Sequence, residues 1–212
     1  MNTGYFSFIR ANAPFLATGA LLSFLSSFGQ TFFIAIFGGE IRSEFGLSNG
    51  DWGLIYMIGT GASAVCMVFA GGLADGFRVR TLGVVVLALL ALACLMMAVN
   101  TSAWLLVFVI FALRFTGQGM TAHVAVVAMA RWFVATRGRA LAVAALGFMA
   151  GEATMPLIMV WLKSIIDWRV LWVAFAVFVV LMIPVLRALL RLERTPQSAA
   201  EQTQALGLYG RH

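Results

Sequence analysis

Gly71-Gly72-Leu73-Ala74-Asp75-Gly76-Phe77-Arg78-Val79-Arg80 is a short polar stretch that joins two long apolar segments of the chain. It places one carboxylate and two guanidinium groups between segments that carry no charged residue. A connection this short keeps its flanking helices adjacent and antiparallel. Its glycines are expected to let the chain turn sharply where helix-forming residues would continue the helix. The stretch therefore predicts two neighbouring helices joined by a tight turn.

The composition is that of a membrane protein. Of the 212 residues, 62% are hydrophobic and only 10% are charged, and the mean hydropathy is +0.99. A water-soluble domain of this size could not carry so much apolar surface. The net charge of +6 comes from bases in short clusters beside apolar segments, so we read them as topology signals and expect no nucleic-acid partner.

Six apolar segments are long enough to cross a bilayer, which takes about 20 residues. Backbone polar groups in lipid must be satisfied within their own segment, so all six are predicted to be helices. The predicted spans are 11–38, 52–74, 81–99, 104–130, 140–162 and 168–190. We expect residues 1–192 to form one six-helix transmembrane bundle. The polar residues 193–212 are predicted to be a cytoplasmic linker or tail.

The basic and aromatic residues give an orientation. One side of the predicted bundle carries Arg10, Arg78, Arg80, Arg131, Arg137, Arg139, Arg187, Arg191, Arg194 and Arg211, and the other carries Arg42, Lys163 and Arg169. Both termini are therefore predicted to be cytoplasmic. An aromatic belt is predicted at the outer interface from Trp52, Trp104, Trp161, Trp168 and Trp172, with Trp132 at the inner one.

Two outer loops contain residues that are typical of helix N-caps. Asp51 precedes the second predicted span, and the pair Thr101-Ser102 precedes the fourth. We expect their side chains to accept hydrogen bonds from the first amides of these helices. Asn100-Thr101-Ser102 also fits a glycosylation acceptor, but capping is the favoured interpretation because the loop is tiny and adjoins the membrane.

No enzymatic activity, cofactor or metal ion is expected. Cys66 and Cys94 lie inside predicted spans at different depths, and their spacing fits no metal site. His123 and His212 are the only imidazoles, and serine-hydrolase, zinc-protease and phosphate-loop motifs are missing from the sequence. Gly59-Thr60-Gly61-Ala62-Ser63-Ala64 fits a dinucleotide-binding pattern but lies inside an apolar span, so helix packing is the favoured interpretation.

Arg114 is the most informative candidate for a functional residue, because it lies inside the fourth predicted span, far from both ends. A charge near the bilayer centre costs roughly 2.5 to 3.5 kcal/mol, so the side chain should face protein or a water-filled cavity. Gln118 and Thr121 follow at helical spacing and extend a narrow polar stripe. A solute-contacting arginine is the favoured interpretation, and a structural ion pair is the alternative.

Glu152 lies twelve residues after the predicted start of the fifth span at Ala140, again near the midplane. Opposite charges at one depth on consecutive helices predict an ion pair between Glu152 and Arg114. Alternatively, Glu152 is protonated and exchanges a proton during transport, because burial disfavours a lone carboxylate. A purely structural hydrogen bond to a neighbouring backbone is the third interpretation.

Other polar and small residues have weaker signals. His123 follows Arg114 by nine positions, which on a regular helix is the opposite face, and a packed, hydrogen-bonded histidine is favoured over a proton relay. Gln30 lies on a polar side of the first span, so both solute contact and helix–helix hydrogen bonding stay open. Gly147 and Gly151, followed by Pro156, predict a small-residue face that allows close packing of another helix.

Three motifs in the sequence resemble motifs of the major facilitator superfamily of transporters. The loop between the second and third spans resembles that family's Gly-x-Leu-Ala-Asp-Arg-x-Gly-Arg-Arg/Lys signature. The residues in register are Gly71, Leu73, Ala74, Asp75 and Arg80, whereas Gly76 and Arg78 depart from it. Arg114-Phe115-Thr116-Gly117-Gln118-Gly119 resembles the family's fourth-helix motif Arg-x-x-x-Gly/Gln-Gly. Asp167-Trp168-Arg169 resembles the Gly-Trp-Arg that commonly begins the sixth helix.

The resemblance implies an all-α half bundle of two inverted three-helix units in the cell (inner or plasma) membrane. It implies secondary transport of a small solute by alternating access, with Arg114 favouring an anionic or carboxylated one. The resemblance implies that Arg114 lines the central cavity, and the polar residues Gln118 and Gln30 are further predicted cavity residues. Glu152 is predicted for proton coupling or for pairing with Arg114. The implied gating loop contains Gly71, Asp75, Arg78 and Arg80, and the alternative is that its charges serve only as inside-positive anchors.

Such a mechanism also implies partners beyond the solute and membrane lipid. One six-helix bundle cannot enclose a solute site, so a second six-helix half is expected. That half would be a missing C-terminal half, which makes this chain the N-terminal half of a twelve-helix transporter, or another copy of the chain. The rival hypothesis is a non-transporting membrane scaffold or assembly subunit, whose buried charges only specify packing.

Overall fold

The computed structural model describes residues 5–191, which are predominantly helical. Within this range there are eleven α-helices, and the predicted tail 193–212 lies outside it. The α-helices are α1 (Tyr5–Ala11), α2 (Ala13–Leu25), α3 (Thr31–Ile36), α4 (Gly38–Phe45), α5 (Asn49–Ala70), α6 (Leu73–Gly76), α7 (Val79–Val99), α8 (Leu106–Leu113), α9 (Ala122–Trp132), α10 (Arg137–Leu162) and α11 (Trp168–Leu189).

Four helical segments of the described chain are long and apolar enough to cross a membrane. They are α5 continued by α6 (Asn49–Gly76), α7, α10 and α11, and they agree with the second, third, fifth and sixth predicted spans. The first predicted span is broken into α2, a 3-10 turn (Ser26–Gly29) and α3, and α4 begins at its last residue. The fourth is divided into α8, a π-helical segment (Arg114–Thr121) and α9. The chain is therefore a multi-pass, all-α membrane protein with two irregular segments.

The predicted helix caps are wrong in detail. Ser48, not Asp51, is the N-cap of α5: its hydroxyl accepts a hydrogen bond from the Asp51 amide at 3.1 Å, and the Asp51 carboxylate accepts from the Ser48 amide at 3.0 Å. This reciprocal capping box satisfies two amides at once. The helix after Thr101-Ser102 has no side-chain cap. The Asn100 side chain instead hydrogen-bonds the Ser102 backbone and shapes the loop.

The predicted glycine turn after α5 is also displaced. Gly71 and Gly72 have helical dihedral angles (φ −56°, ψ −38° and φ −62°, ψ −18°), so they almost continue α5 into α6. The chain changes direction at Phe77 and Arg78, whose backbones are extended. The glycines are not used for a left-handed turn, because the Gly71 amide still donates to the Met67 carbonyl as in a helix.

The predicted small-residue face of α10 is confirmed. A Cβ atom built on Gly147 would lie 2.9 Å from the Ala20 Cα atom, so the α2 backbone touches α10 there. One turn later, a Cβ on Gly151 would meet the Ser27 side chain. Backbones in membranes approach this closely through small residues, since no hydrophobic effect drives the helices together. The contact positions α2 against α10.

Three of the six tryptophans of the predicted aromatic belt are buried in the protein. Trp172 is fully buried in an aromatic cluster, where its ring centroid lies 5.6 Å from that of Phe33 and 5.4 Å from that of Phe37. Trp168 and Trp132 are also buried, whereas Trp104 and Trp161 are exposed. Residues at the same depth in the membrane can lie on any face of a helix. A prediction from depth alone therefore does not separate protein-facing from lipid-facing tryptophans.

An ion-pair network fastens α4 to the neighbouring helix ends. Lys163 lies 2.8 Å from Glu40, and Arg169 lies 2.6 Å from Glu44. Arg169 also donates to the Ala98 carbonyl at the end of α7 at 2.6 Å. Partly exposed pairs contribute only about 0 to 1 kcal/mol each, so the network mainly fixes where these ends lie.

We predict that Gly147→Val destabilises the chain by roughly 1 to 3 kcal/mol, the usual cost of overpacking. The added side chain would meet the backbone of α2, which cannot move aside as a flexible side chain could. Thermal unfolding of the purified chain in detergent measures the effect. The matched control is Gly61→Val in α5, where a Cβ meets nothing within 4 Å. Equal losses in both variants would contradict a special contact at Gly147.

Candidate functional site

The two irregular segments meet at a crossing of two glycines. Gly29 ends the 3-10 turn, and Gly117 lies in the middle of the π-helical segment. A Cβ on Gly29 would lie 2.7 Å from the Gly117 Cα atom, and a Cβ on Gly117 would lie 2.6 Å from the Gly29 Cα atom. Any side chain at either position would push the segments apart. The irregular parts of the first and fourth predicted spans therefore pack backbone to backbone.

Arg114 bridges this crossing with a buried guanidinium group. Its Nη1 donates to the Gly29 carbonyl at 3.1 Å, at the point where the next residue, Gln30, becomes extended (φ −79°, ψ 153°). Its guanidinium carbon lies 5.7 Å from the centroid of the Tyr56 ring, within the range of a cation–π interaction. Only 8% of Arg114 is exposed. The arginine thus binds a carbonyl that the break in the helix leaves available.

Part of this guanidinium group has no partner. The Nε atom of Arg114 is buried and makes no hydrogen bond within residues 5–191. The Thr60 hydroxyl on α5 is likewise buried and without a partner in the described chain. Buried polar atoms of this kind usually have a partner, and an exception calls for a ligand, a water molecule or another explanation.

Both atoms belong to residues that line one open cavity of about 470 Å³ between α5 and the π-helical segment with α9. Its wall includes Thr60, Ser63, Met67, Arg114, Gln118 and His123. An anion in this cavity would lie beside the Arg114 guanidinium group and could accept hydrogen bonds from it. Hydrogen bonds between ionised partners are roughly twice as strong as neutral ones. The arrangement is therefore suited to holding a carboxylate-sized anion.

The predicted ion pair between Arg114 and Glu152 does not form. The ion pairs within 4 Å in the described chain are Lys163–Glu40 and Arg169–Glu44. Glu152 is exposed on α10, whereas Arg114 is directed towards Gly29 and Tyr56. The prediction matched the two residues by depth, but depth does not determine the direction in which a side chain leaves its helix.

The two predicted glutamines lie in different places. Gln118 is exposed and belongs to the cavity wall together with Arg114. Gln30 is half-buried and follows Gly29, whose carbonyl binds Arg114, but it is not among the residues that line the cavity. The structure therefore brings Gln118 and Arg114 together and leaves Gln30 beside the crossing.

His123 is on the same side as Arg114, contrary to the prediction. An α-helix turns by about 100° per residue, which would place residues nine positions apart on opposite faces. The π-helical segment has wider turns with i→i+5 hydrogen bonds, so each residue turns the chain by less. Over Arg114–Thr121 this difference brings His123 into the cavity wall. Its Nε2 lies 3.1 Å from the Gly71 carbonyl, so the predicted hydrogen-bonded histidine is confirmed.

The predicted gating loop is held by its backbone and exposes its charges. His123 binds the Gly71 carbonyl, and the Nη1 of Arg131 donates to the Ala74 carbonyl at 2.8 Å. The side chains of Asp75, Arg78 and Arg80 are exposed. None of these three forms an ion pair with another described residue. Their charges are available for contacts outside the described chain.

Sequence reasoning missed the cavity residues of α5. Gly59 does pack against a neighbouring helix, since a Cβ there would lie 2.9 Å from the Val107 carbonyl. The next residue, Thr60, turns towards the cavity together with Ser63 and Met67. Their spacing at i, i+3 and i+7 is that of one helix face, and this is the signal that could have found them.

We predict that Thr60→Val leaves the free energy of unfolding unchanged or raises it, because it removes a buried hydroxyl that has no partner. The matched control is Thr18→Val, since the equally buried Thr18 hydroxyl donates to the Pro14 carbonyl at 2.9 Å. The control should lose about 0.5 to 1.5 kcal/mol, the usual net value of a hydrogen bond. Thermal unfolding in detergent compares them, and an equal loss at Thr60 would reveal a hidden partner.

Comparison with known proteins agrees with the architecture and the motifs. A family model described as Major Facilitator Superfamily matches residues 19–209, which is most of the chain. The search of curated proteins found no match. Members of this family are transporters rather than enzymes. The match covers both irregular segments, the loop after α5 and the cavity around Arg114, and the chain therefore belongs to the Major Facilitator Superfamily.

Proposed function

We propose that this protein is a secondary active transporter of a small anionic or carboxylated solute, and that Arg114 binds this solute. The observation that carries the proposal is a buried guanidinium group without a carboxylate partner among residues 5–191, beside an open cavity. A buried charge without a counter-ion is costly. A transporter has a reason to keep such a charge unpaired, because the solute itself supplies the counter-ion during each cycle.

The cavity residues suit a solute of this class. The Arg114 guanidinium group would bind the carboxylate, and Gln118 would offer its amide to a polar group further out. The volume of about 470 Å³ falls in the range of small-molecule sites. The cavity is open, which suits a site that exchanges its ligand with solvent.

Alternating access needs a second bundle, and the exposed faces of α5 and α10 support one. Both helices expose large apolar residues, among them Met57, Val65, Val68 and Phe69 of α5 and Leu157, Val160 and Trp161 of α10. We infer six membrane spans, both termini in the cytoplasm, and a location in the inner or plasma membrane. The second bundle would be a C-terminal half or another copy of this chain, with lipid covering the remaining faces.

Glu152 is the proposed site of proton coupling. It lies exposed on α10, next to Gly151, which packs against the first predicted span. It has no Arg114 partner, and an ionisable residue inside a membrane-spanning helix is by default a candidate for a functional site such as a proton relay. Alternating exposure to the two sides would let it take up and release a proton.

The exposed charges of Asp75, Arg78 and Arg80 are proposed to act as a gate. Their backbone is fixed to α9 through Gly71 and Ala74, so the side chains are presented in a defined place. Contacts with the second bundle would hold one access state and break in the other.

We predict that Arg114→Gln lowers solute uptake at least about tenfold, because a hydrogen bond to a charged group is worth roughly 1.5 to 3 kcal/mol. Uptake of radiolabelled small mono- and dicarboxylates is measured in proteoliposomes containing the full-length protein. Arg187→Gln, at an exposed arginine near the end of α11, is the control and should retain uptake. Unchanged uptake by a correctly inserted Arg114→Gln variant would favour a scaffold in which the buried charge only specifies packing.

We predict that Glu152→Gln removes the dependence of uptake on a proton gradient but preserves solute exchange without a gradient. The amide keeps the shape of the protonated acid and cannot release a proton. Initial rates are compared with and without an imposed pH difference across the proteoliposome membrane. Asp167→Asn, at an exposed loop carboxylate, is the control. Gradient-driven uptake that persists in Glu152→Gln would rule out this proton site.

A further inference from the structure

His123 contacts both the cavity and the loop after α5. It lines the cavity with Arg114, and its Nε2 lies 3.1 Å from the Gly71 carbonyl. A carbonyl can only accept, so the imidazole donates its Nε2–H to this bond. Gly71 closes α5 and begins the predicted gating loop. One side chain thus joins the wall of the cavity to the backbone of the loop.

A second bond from α9 holds the same turn further along. Arg131 donates to the carbonyl of Ala74, which is buried in α6. It follows His123 by eight residues, about two helical turns, and therefore lies on the same face of α9 roughly 12 Å away. The turn from Gly71 to Ala74 is attached to α9 at two points. Only the His123 attachment is beside the cavity.

The attachment at His123 directly follows the π-helical segment. This segment contains Arg114 and ends at Thr121, and α9 begins at Ala122. Wide π-helical turns inside α-helices are frequent at functional sites. A change in the number of residues per turn between Arg114 and Thr121 would rotate the start of α9. His123, the second residue of α9, would then move relative to Gly71. Arg131 lies near the other end of α9 and would stay in place if only the first turn rotated.

We propose that His123 is a positioning residue that couples the Arg114 cavity to the loop carrying Asp75, Arg78 and Arg80. A change at Arg114 alters the π-helical segment, and the hydrogen bond from His123 to Gly71 transmits this change to the loop. This coupling rests on the proposed solute site for its role in transport. The coupling itself is a property of the protein without solute.

The test measures the loop directly with a cysteine reporter. Gly76→Cys adds a thiol at an exposed position where a Cβ meets nothing within 4 Å. Cys66 is replaced by alanine, and Cys94 remains because it is fully buried. The rate of labelling by a membrane-impermeant maleimide is measured on the full-length protein in inverted membrane vesicles. A Gly39→Cys reporter, exposed in α4 with similar space on the opposite side of the membrane, is labelled in right-side-out vesicles and checks that each variant remains folded.

A double-substitution cycle separates coupling from simple packing. With His123 present, Arg114→Gln should change the Gly76→Cys labelling rate at least about fivefold, the lower end of usual allosteric couplings. In a His123→Phe background, the same substitution should change it by less than about twofold, which is the scatter of independent sites. His123→Gln keeps a donor and should restore at least part of the response. His123→Leu is the second donor-free variant if His123→Phe alters the Gly39→Cys control.

Arg131→Leu is the matched control, because leucine has no hydrogen-bond donor and therefore removes the other attachment without touching the cavity. The response to Arg114→Gln should persist in that background. Equal responses with and without the histidine donor would overturn the proposal, as would a loop that does not respond to Arg114→Gln at all. The labelling cycle is measured without solute. A negative result in the cycle therefore does not contradict solute binding by Arg114, and a negative uptake result does not prevent the coupling from being measured.

Discussion

The hydrogen bond from Arg114 to the Gly29 carbonyl is the interaction on which the described architecture depends. It joins two segments that both depart from regular α-helix, and it does so where their backbones touch at Gly29 and Gly117. A charge inside the membrane costs roughly 2.5 to 3.5 kcal/mol. A charged hydrogen bond of about 1.5 to 3 kcal/mol and a cation–π contact of about 0.5 to 2 kcal/mol offset most of it. The guanidinium group is therefore tolerated without a carboxylate partner in the described chain.

The irregular backbone also explains the shape of the site. A 3-10 turn narrows the helix at Ser26–Gly29, and the facing π-helical segment widens it at Arg114–Thr121. The wide turns bring His123 to the same side as Arg114. These two residues line the cavity together with Thr60 of α5. Interrupted helices line solute sites in many transporters, since irregular backbone at membrane depth is tolerated where it faces protein or a cavity. The irregular backbone loses regular α-helical hydrogen bonds, but it brings the polar side chains of Arg114 and His123 to one cavity.

The four long helices could be predicted from hydropathy because each depends mainly on its own composition. The π-helical segment could not, because its geometry follows from packing against the first predicted span at Gly29. This is why His123 was expected on the wrong face. The predicted Arg114–Glu152 pair does not form for a related reason. Residue counting gives depth, whereas the rotation of α10 depends on where Gly147 meets α2 and Gly151 meets the 3-10 turn. Thr60 was not predicted as a cavity residue because the Gly59–Ala64 motif was assigned to helix packing. Gly59 does pack against a neighbouring helix, whereas Thr60 lines the cavity.

The two ends of the bundle are held by different kinds of interaction. At the α4 end, ion pairs of Glu40 with Lys163 and of Glu44 with Arg169 connect side chains from three helices. At the α6 end, α9 binds backbone carbonyls of the loop, while Asp75 and Arg78 form no ion pair within the described chain. Bonds to carbonyls fix the path of the loop but leave its charges to other partners. Because His123 lines the cavity and also binds the loop backbone, the α6 end is the one in direct contact with the cavity.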